Sequence, residues 1–308
     1  MSDLDSYRTQ QDAHRGRAAR AAPTRYSEAI NRYLGAVGYR LAEPDLPATT
    51  AEQPVPPAAT TTGVLVGVDD TPTSYTAVDH AAIEAELRGW DLRIIHVQHP
   101  GGLRPSSRDA GARLLERLTD RVHAYSPSVP VTCRLMVGSA AQLLLFDAED
   151  AGLVVVGHRH GAVGATFGLS VGDRVAAQHH GAVLVVRVPG WPPGPEFGSR
   201  PVVVGADRAE SPAVRFALEE ARVRGCDLVM LRAGDGLPQV PRPDLIGGVR
   251  VHHTDIATDP VSALLDASST AAAIVVGRRG TGGVGGASLG SVSRTLVQRA
   301  HCPIFLVG

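Results

Sequence analysis

A loop of unusual composition lies close to the end of the chain. Residues 277–293, GRRGTGGVGGASLGSVS, contain seven glycines, two arginines and three serines. The loop follows the apolar run AIVVG and leads into SVSRTLVQRA, whose apolar residues recur at helical spacing. Its end is therefore predicted to be a helix N-terminus, where unpaired N–H groups and the helix dipole attract an anion. Glycines allow backbone N–H groups to approach phosphate oxygens, Ser291 and Ser293 add hydroxyl donors, and Arg278 or Arg279 can neutralise charge.

Other interpretations of this loop compete with a phosphate site. A glycine-rich loop can be a surface loop without a ligand, although a position between a strand end and a helix start favours anion binding. Residues 280–285, GTGGVG, satisfy GxGxxG, but no acidic residue follows them to hold the ribose of a dinucleotide. Residues 285–291 imitate a P-loop without its lysine, and the sequence contains no lysine at all. A Walker lysine and a Schiff-base lysine are thereby excluded.

The glycine loop belongs to a sequence repeat with an offset of 120 residues, since 277 minus 157 is 120. The segment LVVVGHRHGAVGATFGLSVGDRV, from Leu153, aligns without gaps with AIVVGRRGTGGVGGASLGSVSRT. Upstream, VLVGVDDTPTS from Val64 resembles VVVGADRAES from Val202. We predict two domains, residues 63–189 and 200–308, joined by the proline- and glycine-rich segment PGWPPGPEFGSRP.

Each copy is predicted to consist of alternating strands and helices. Short β-branched runs such as VLVGV, RIIHV, LVVVG and VLVVRV indicate strands buried on both faces, and SYTAVDHAAIEAELRG indicates a helix stopped by glycine. Such βα units predict an α/β fold with a parallel, doubly wound sheet, in which ligands bind beyond the carboxyl ends of the strands. Residues 1–62 are predicted to be a partly disordered extension, with a possible helix carrying Tyr26, Ile30, Tyr33 and Leu34 before a Pro-, Ala- and Thr-rich linker.

Composition excludes several functional classes. A formal net charge of −1 gives no field that would attract nucleic acid or an anionic membrane surface. No apolar stretch approaches the roughly 18 residues of a membrane span, and the N-terminus lacks a secretory core, so a cytoplasmic location is expected. Three distant cysteines, Cys133, Cys226 and Cys302, suggest buried, reduced core residues. The histidines, including those at 158, 160, 179, 180, 252 and 253, share no ligand spacing, so no metal site is predicted.

The spacing of the loop residues resembles a known nucleotide motif. Gly277, two residues, Gly280, nine residues and then Gly290-Ser291 reproduce the G-2x-G-9x-G-(S/T) pattern of the universal stress protein family. The first-strand segment VGVDDTPTS and the closing HCPIFLVG are similar to that family as well. The resemblance implies two flavodoxin-like (adenine nucleotide alpha hydrolase-like) domains, each with a five-stranded parallel sheet.

The ligand is also implied by this resemblance. ATP, or another adenine nucleotide, would lie across the strand ends, and whether Mg²⁺ accompanies it stays open. Asp207 would lie near the adenosine moiety, and Gly277, Gly280, Gly290 and Ser291 would surround the phosphates. The positions equivalent to Gly280, Gly290 and Ser291 in the first copy are His160, Ser170 and Val171, while Asp69 and Gly157 are retained. We expect a degenerate nucleotide site in the first copy.

These residues predict a function based on binding. The resemblance implies an ATP-binding stress-response or signalling protein that acts through nucleotide binding and contacts with an unidentified protein partner. It also implies pairing through the last strand of each domain, either by self-association or as a pseudo-dimer within one chain. No catalytic residue is predicted, because the loop from Gly277 onward contains no carboxylate to position water. The alternatives are a scaffold of the same fold without a nucleotide and a slow ATP hydrolase.

Overall fold

The computed structural model of the chain describes residues 24–36, 63–99, 107–158, 170–187, 200–206, 208, 210–233, 243–257, 259–279 and 288–308. The helices within these ranges are α1 (Arg25–Ala36), α2 (Pro72–Arg88), α3 (Ser107–Tyr125), α4 (Ala140–Asp147), α5 (Val171–Gln178), α6 (Pro212–Arg224), α7 (Pro260–Ser268) and α8 (Ser291–Arg299). The strands are β1 (Gly63–Val68), β2 (Leu92–Gln98), β3 (Val131–Val137), β4 (Ala151–His158), β5 (Ala182–Arg187), β6 (Val202–Gly205), β7 (Leu228–Ala233), β8 (Asp244–Ile246), β9 (Val249–Ile256), β10 (Ala273–Gly277) and β11 (Ile304–Val307). We refer to residues 63–187 as the N-terminal half and to residues 200–308 as the C-terminal half.

The strands form one sheet in the order β3-β2-β1-β4-β5-β11-β10-β6-β7-β9-β8. Pairing is parallel within each half apart from the β8–β9 hairpin, and the two halves meet where β5 pairs antiparallel with β11. The order β3-β2-β1-β4-β5 recurs as β9-β7-β6-β10-β11, which confirms the predicted α/β fold. The short strand β8 extends the second half by a hairpin that the repeat did not predict. Its turn consists of Gly247 and Gly248, both at positive φ, which glycine adopts without steric cost.

Helices cover both faces of this sheet. Residues of α1, α2, α3 and α6 share one hydrophobic core with one face of the strands. Residues of α4, α5, α7 and α8 share a second core on the other face. Strand side chains therefore alternate between two apolar layers, which explains why the strand sequences are continuous β-branched runs.

The helix α1 of the N-terminal extension is part of the first core. Tyr26, Ile30 and Tyr33 are at most 2% exposed, and the hydroxyl of Tyr33 donates to Ser126 at the end of α3. The side chain of Leu34 lies outside the described residues. Because its apolar face is buried against α2, α3 and α6, α1 contributes hydrophobic burial to both halves.

Four charged residues join the two halves beside this helix. Arg88 of α2 contacts Glu84 on its own helix and Glu220 on α6, while Arg224 of α6 contacts the same two carboxylates. Three of these side chains are at most 2% exposed and Arg88 is 10% exposed. The guanidinium of Arg224 also lies 4.1 Å from the ring centre of Tyr26. Each buried charge thus has two partners of opposite sign, as burial requires.

The cysteine prediction is correct only in part. Cys302 is buried and Cys226 is half-buried, but Cys133 is exposed. Cys133 lies on β3, which forms one edge of the sheet and leaves several of its side chains open to solvent. Within the described residues, no helix combines the length and the apolar character needed to cross a bilayer.

Candidate functional site

A cavity of about 850 Å³ lies at the carboxyl ends of the C-terminal strands. Its walls include the ends of β6, β7, β9, β10 and β11 together with the first turns of α6, α7 and α8. The chain leaves β6 toward β7 on one side, whereas β10 lies on the other side of β6. Ligands of open α/β sheets bind at such a reversal of strand order.

The two ends of the cavity differ in chemistry. The end beneath β7, β9 and α7 is apolar and is lined by Leu231, Ala233, Ile256 and Leu264. The opposite end, near β10 and β11, carries Arg278, Arg279, His179 and His180. No Asp or Glu side chain occurs among the described lining residues. An elongated ligand with an apolar ring at one end and negative charge at the other matches this arrangement.

The N-terminus of α8 opens onto the cationic end. Gly290 is the N-cap, and no described side chain caps the helix. The N–H of Gly290 donates to the carbonyl of Arg278 at 3.0 Å, and the Ser293 hydroxyl donates to the carbonyl of Gly277 at 2.7 Å. These bonds fix the helix start against the end of β10 and occupy the Ser293 hydroxyl hydrogen. Ser291 is exposed in the first turn of α8, so its hydroxyl remains beside the helix end.

The two predicted arginines have different surroundings. Arg278 is 6% exposed, and its Nη2 donates to the carbonyls of Gly181 and Leu306. Its Nε is buried without a hydrogen-bond partner in the described part of the chain. Burial, and then the neighbouring charge of Arg279, lowers the pKa of Arg278 to about 10. Arg279 is exposed at the mouth of the loop. Arg278 therefore joins the halves, and one of its buried donors has no partner among the described residues.

His179 is a residue of this site that the sequence did not predict. It belongs to the N-terminal half, directly after α5, yet it lines the C-terminal cavity beside Arg278. The residue is 8% exposed, and its Nε2 is buried without a hydrogen-bond partner among the described residues. Burial, with smaller contributions from Arg278 and His180, lowers its pKa to about 4. The paired histidines 179 and 180 were visible in the sequence, but their place against the other half depends on the β5–β11 pairing.

The equivalent position in the N-terminal half is closed by its own residues. Ser170 and Asp173 form a capping box at the start of α5, and each side chain accepts a hydrogen bond from the other's backbone N–H. His158, which aligns with Arg278, lies 3.2 Å from the Asp173 carboxylate through its Nδ1. Burial alone would raise the pKa of Asp173, but the hydrogen bonds from His158 and Ser170 lower it below its ordinary value. A carboxylate therefore already fills the place where an anion would bind.

The other site residues predicted from the sequence lie in both halves of the chain. Gly157 is the penultimate residue of β4, whereas Gly277 ends β10, and Val171, 41% exposed, begins α5 in the position of Ser291. The Asp69 carboxylate accepts hydrogen bonds from Ser74 at 2.6 Å and from Thr71, so it belongs to the turn before α2. Asp207, Gly280 and His160 lie outside the described residues. Within the described residues, no group of three or more His, Cys, Asp or Glu side chains is arranged to hold a metal ion.

Comparison with known proteins identifies the family. The sequence profile of the universal stress protein family matches residues 61–187 and 244–308. A universal stress protein of Mycolicibacterium smegmatis is 30% identical over 290 residues, covering 81% of this chain and 98% of the relative. One from Mycobacterium tuberculosis strain H37Rv is 28% identical over 303 residues, covering 80% of this chain and 95% of the relative. The chain belongs to the universal stress protein family.

The fold agrees with that assignment. The crystal structure of a universal stress protein from Archaeoglobus fulgidus superposes with a TM-score of 0.60 at 18% identity. The match covers 81% of this chain and 99% of the other. It therefore extends over both halves of the described sheet.

Proposed function

We propose that the C-terminal half binds an adenine nucleotide, with ATP as the principal ligand, in the cavity at its strand ends. The observation that carries the proposal is the N-terminus of α8, which no described side chain caps, at the cationic end of a cavity whose opposite end is apolar. An exposed helix N-terminus with neighbouring arginines attracts phosphate, and an apolar wall accepts a purine ring. The family membership supports the same ligand class through the motif at Gly277, Gly280, Gly290 and Ser291.

The described residues have separate roles in this proposal. The backbone N–H groups that follow Gly290 and the Ser291 hydroxyl bind phosphate oxygens, and Arg278 and Arg279 supply positive charge. Ser293 positions the helix start by its bond to Gly277. Asp207 is proposed to contact the adenosine moiety, as the family resemblance implies. Where Mg²⁺ accompanies the nucleotide, phosphate oxygens and water would supply its remaining ligands.

We propose further that residues 63–189 and 200–308 are two domains of unequal function. The N-terminal domain does not bind nucleotide, since Asp173 occupies the start of α5 and Val171 replaces the serine. The antiparallel pairing of β5 with β11 supports an arrangement of the two domains as a pseudo-dimer inside one chain. No Asp or Glu side chain among the described lining residues is available as a general base, which favours a binding protein that signals through a protein partner over an ATP hydrolase.

The proposal is tested by calorimetric titration of ATP into nucleotide-free protein. The variant that combines Gly290→Val with Ser291→Ala should lose measurable binding, because a side chain at the helix start blocks close approach of the phosphate. Val171→Ala at the matched position of α5 serves as the control and should leave affinity unchanged. Equal affinity in the Gly290 and Ser291 double variant would place the ligand elsewhere. A wild-type chain that binds no nucleotide would instead favour the scaffold alternative.

A further inference from the structure

The cavity of the C-terminal half is completed by residues of the N-terminal half. The end of α5 and the turn after it contribute Gln178, His179 and His180 to its wall. These residues meet the cavity next to the end of β11. The wall is therefore formed by two segments that are about a hundred residues apart in sequence.

Backbone contacts hold this wall in place. The carbonyl of Gly181 accepts a hydrogen bond from the Arg278 guanidinium. A Cβ atom at Gly308 would lie 2.7 Å from the carbonyl oxygen of His180, which shows how closely the two backbones approach. The pairing of Ile304 with Val185 fixes the register of the same join. The position of His179 relative to the cavity is consequently set by main-chain packing.

Two buried nitrogens at this wall are without partners in the described part of the chain. They are Nε2 of His179 and Nε of Arg278, on residues that are 8% and 6% exposed. Buried polar atoms in native proteins are rarely left without a hydrogen bond, so each such atom calls for an explanation. The titratable and charged groups that act on His179 here are Arg278 and His180, with Arg279 next to Arg278. Both side chains meet at Gly181, whose carbonyl accepts from Arg278 and whose added Cβ would lie 2.7 Å from Nε2 of His179. An oxyanion that reached either nitrogen would satisfy it.

The layout of the strand ends indicates which part of a nucleotide would reach this wall. The apolar end of the cavity lies beneath β7, β9 and α7, and the helix start of α8 follows β10. Neighbouring strands are spaced by about 4.8 Å, so a ligand that begins at the apolar end and passes α8 extends toward β11 and α5. Its outermost phosphate would then lie nearest to His179.

We infer that His179 of the N-terminal half, together with Arg278, binds the outermost phosphate of a nucleoside triphosphate and makes the site selective for triphosphate over monophosphate. This inference rests on the nucleotide site proposed above. A residue of the N-terminal half would thus contact the ligand of the C-terminal half, although Asp173 occupies the start of α5 in the N-terminal half itself. Without a ligand, burial lowers the pKa of His179 to about 4, so its imidazole is neutral at pH 7. A bound phosphate favours the protonated imidazole, so we expect His179 to take up a proton when the nucleotide binds.

The experiment compares the affinities of ATP and AMP by calorimetry at pH 6 for the wild-type chain and for His179→Gln. We expect the variant to bind ATP about tenfold more weakly and AMP unchanged, the loss typical of one hydrogen bond to a charged group. Arg299→Gln, at the matched position of α8, is exposed and outside the cavity wall, and it should change neither affinity. Titrations in buffers of different ionisation enthalpy should show proton uptake on ATP binding that is larger in the wild type than in His179→Gln.

An unchanged ratio of ATP to AMP affinity in His179→Gln would overturn the inference while leaving the nucleotide site intact. Absence of any nucleotide binding by the wild type would overturn the proposed function as well. A measurement on the unmodified chain guards against misfolding of the variant: the imidazole nitrogen resonances of His179 should shift on addition of ATP but not of AMP. Equal shifts with both nucleotides, or none with either, would contradict the inference.

Discussion

The starts of α5 and α8 are equivalent positions of a repeated sequence, yet the described residues cap only α5 with side chains. At α5, Ser170 and Asp173 cap the helix and His158 faces the carboxylate. At α8, the N-cap is Gly290, no side chain in the described part of the chain caps the helix, and Ser293 replaces the aspartate. A helix N-terminus needs negative charge or hydrogen-bond acceptors, and these can come from the chain or from a ligand. At α5, the Asp173 carboxylate therefore supplies the acceptor and the negative charge that a ligand would otherwise provide.

The join between the halves shows the opposite pattern, since the two copies contribute matching residues. Glu84 and Arg88 on α2 correspond to Glu220 and Arg224 on α6, and all four interact. The two copies therefore share these four charged residues on α2 and α6 but differ at the starts of α5 and α8.

Breaking the shared join should have the largest effect on stability. Arg224→Met leaves Glu84 and Glu220 buried with a single cationic partner, and we expect a loss of about 3–5 kcal/mol in the free energy of unfolding. Urea denaturation of the full chain measures this loss. Arg222→Met on the same helix removes only an exposed pair with Glu219 and should change the free energy by less than about 0.5 kcal/mol. Similar midpoints for the two variants would show that the buried charges do not hold the halves together.

Closing the open helix should abolish the proposed site. The change of Gly290→Ser with Ser293→Asp recreates the capping pair of α5, and the new carboxylate should repel phosphate and weaken ATP binding by about 100-fold. Calorimetric titration measures the affinity. Gly290→Ser with Ser293→Asn keeps the side-chain size without the charge and should weaken binding far less. Undiminished affinity in the aspartate variant would contradict the role assigned to the α8 terminus.

Removing the cap of α5 should cost a moderate amount of stability. Ser170→Ala deletes the acceptor of the Asp173 N–H, and we expect a loss of about 1 kcal/mol in the free energy of unfolding. Thermal and urea unfolding of the variant provide the measurement. Ser291→Ala in the first turn of α8 should leave stability nearly unchanged, because the Ser291 side chain is exposed and does not cap the helix. Equal losses at the two helices would remove the contrast.

The smallest effect is expected on the pH dependence of stability, through the ionisation of Asp173. Because the folded-state pKa of Asp173 is lowered, its ionised form stabilises the fold above the ordinary carboxyl pKa of about 3.9, and this contribution is lost as the pH falls through the folded value. Asp173→Asn should therefore be less stable than the wild type near neutral pH, and the difference should shrink below about pH 4. Urea midpoints measured between pH 3 and 7 test the sign. A difference that grows in acid would be evidence against the capping role.

Much of the fold could be predicted from local patterns. Continuous β-branched runs identified β1, β2, β4 and β5, and the repeat implied similar strands and helices in the second half. Local patterns do not show which strand becomes an edge, and for that reason the exposure of Cys133 on β3 was not foreseen. The hairpin of β8 breaks the repeat, so alignment of the copies could not reveal it.

The candidate site was predictable to the extent that it depends on chain-local geometry. Gly277, Gly290, Ser291 and Ser293 belong to one strand-loop-helix unit, and the structure brings them together as their spacing implied. The place of His179 depends instead on the pairing of β5 with β11. A pair of histidines at the end of a helix carries no signal of such a long-range contact.

The central claim, one open nucleotide site per chain, is tested most directly by counting bound ligand. Mass spectrometry of the intact native chain with saturating ATP, supported by the calorimetric stoichiometry, should show one nucleotide per chain, and the Gly290→Val, Ser291→Ala variant should show none. Two nucleotides per chain would contradict the closure of α5 by Asp173. None on the wild type would contradict the site at α8.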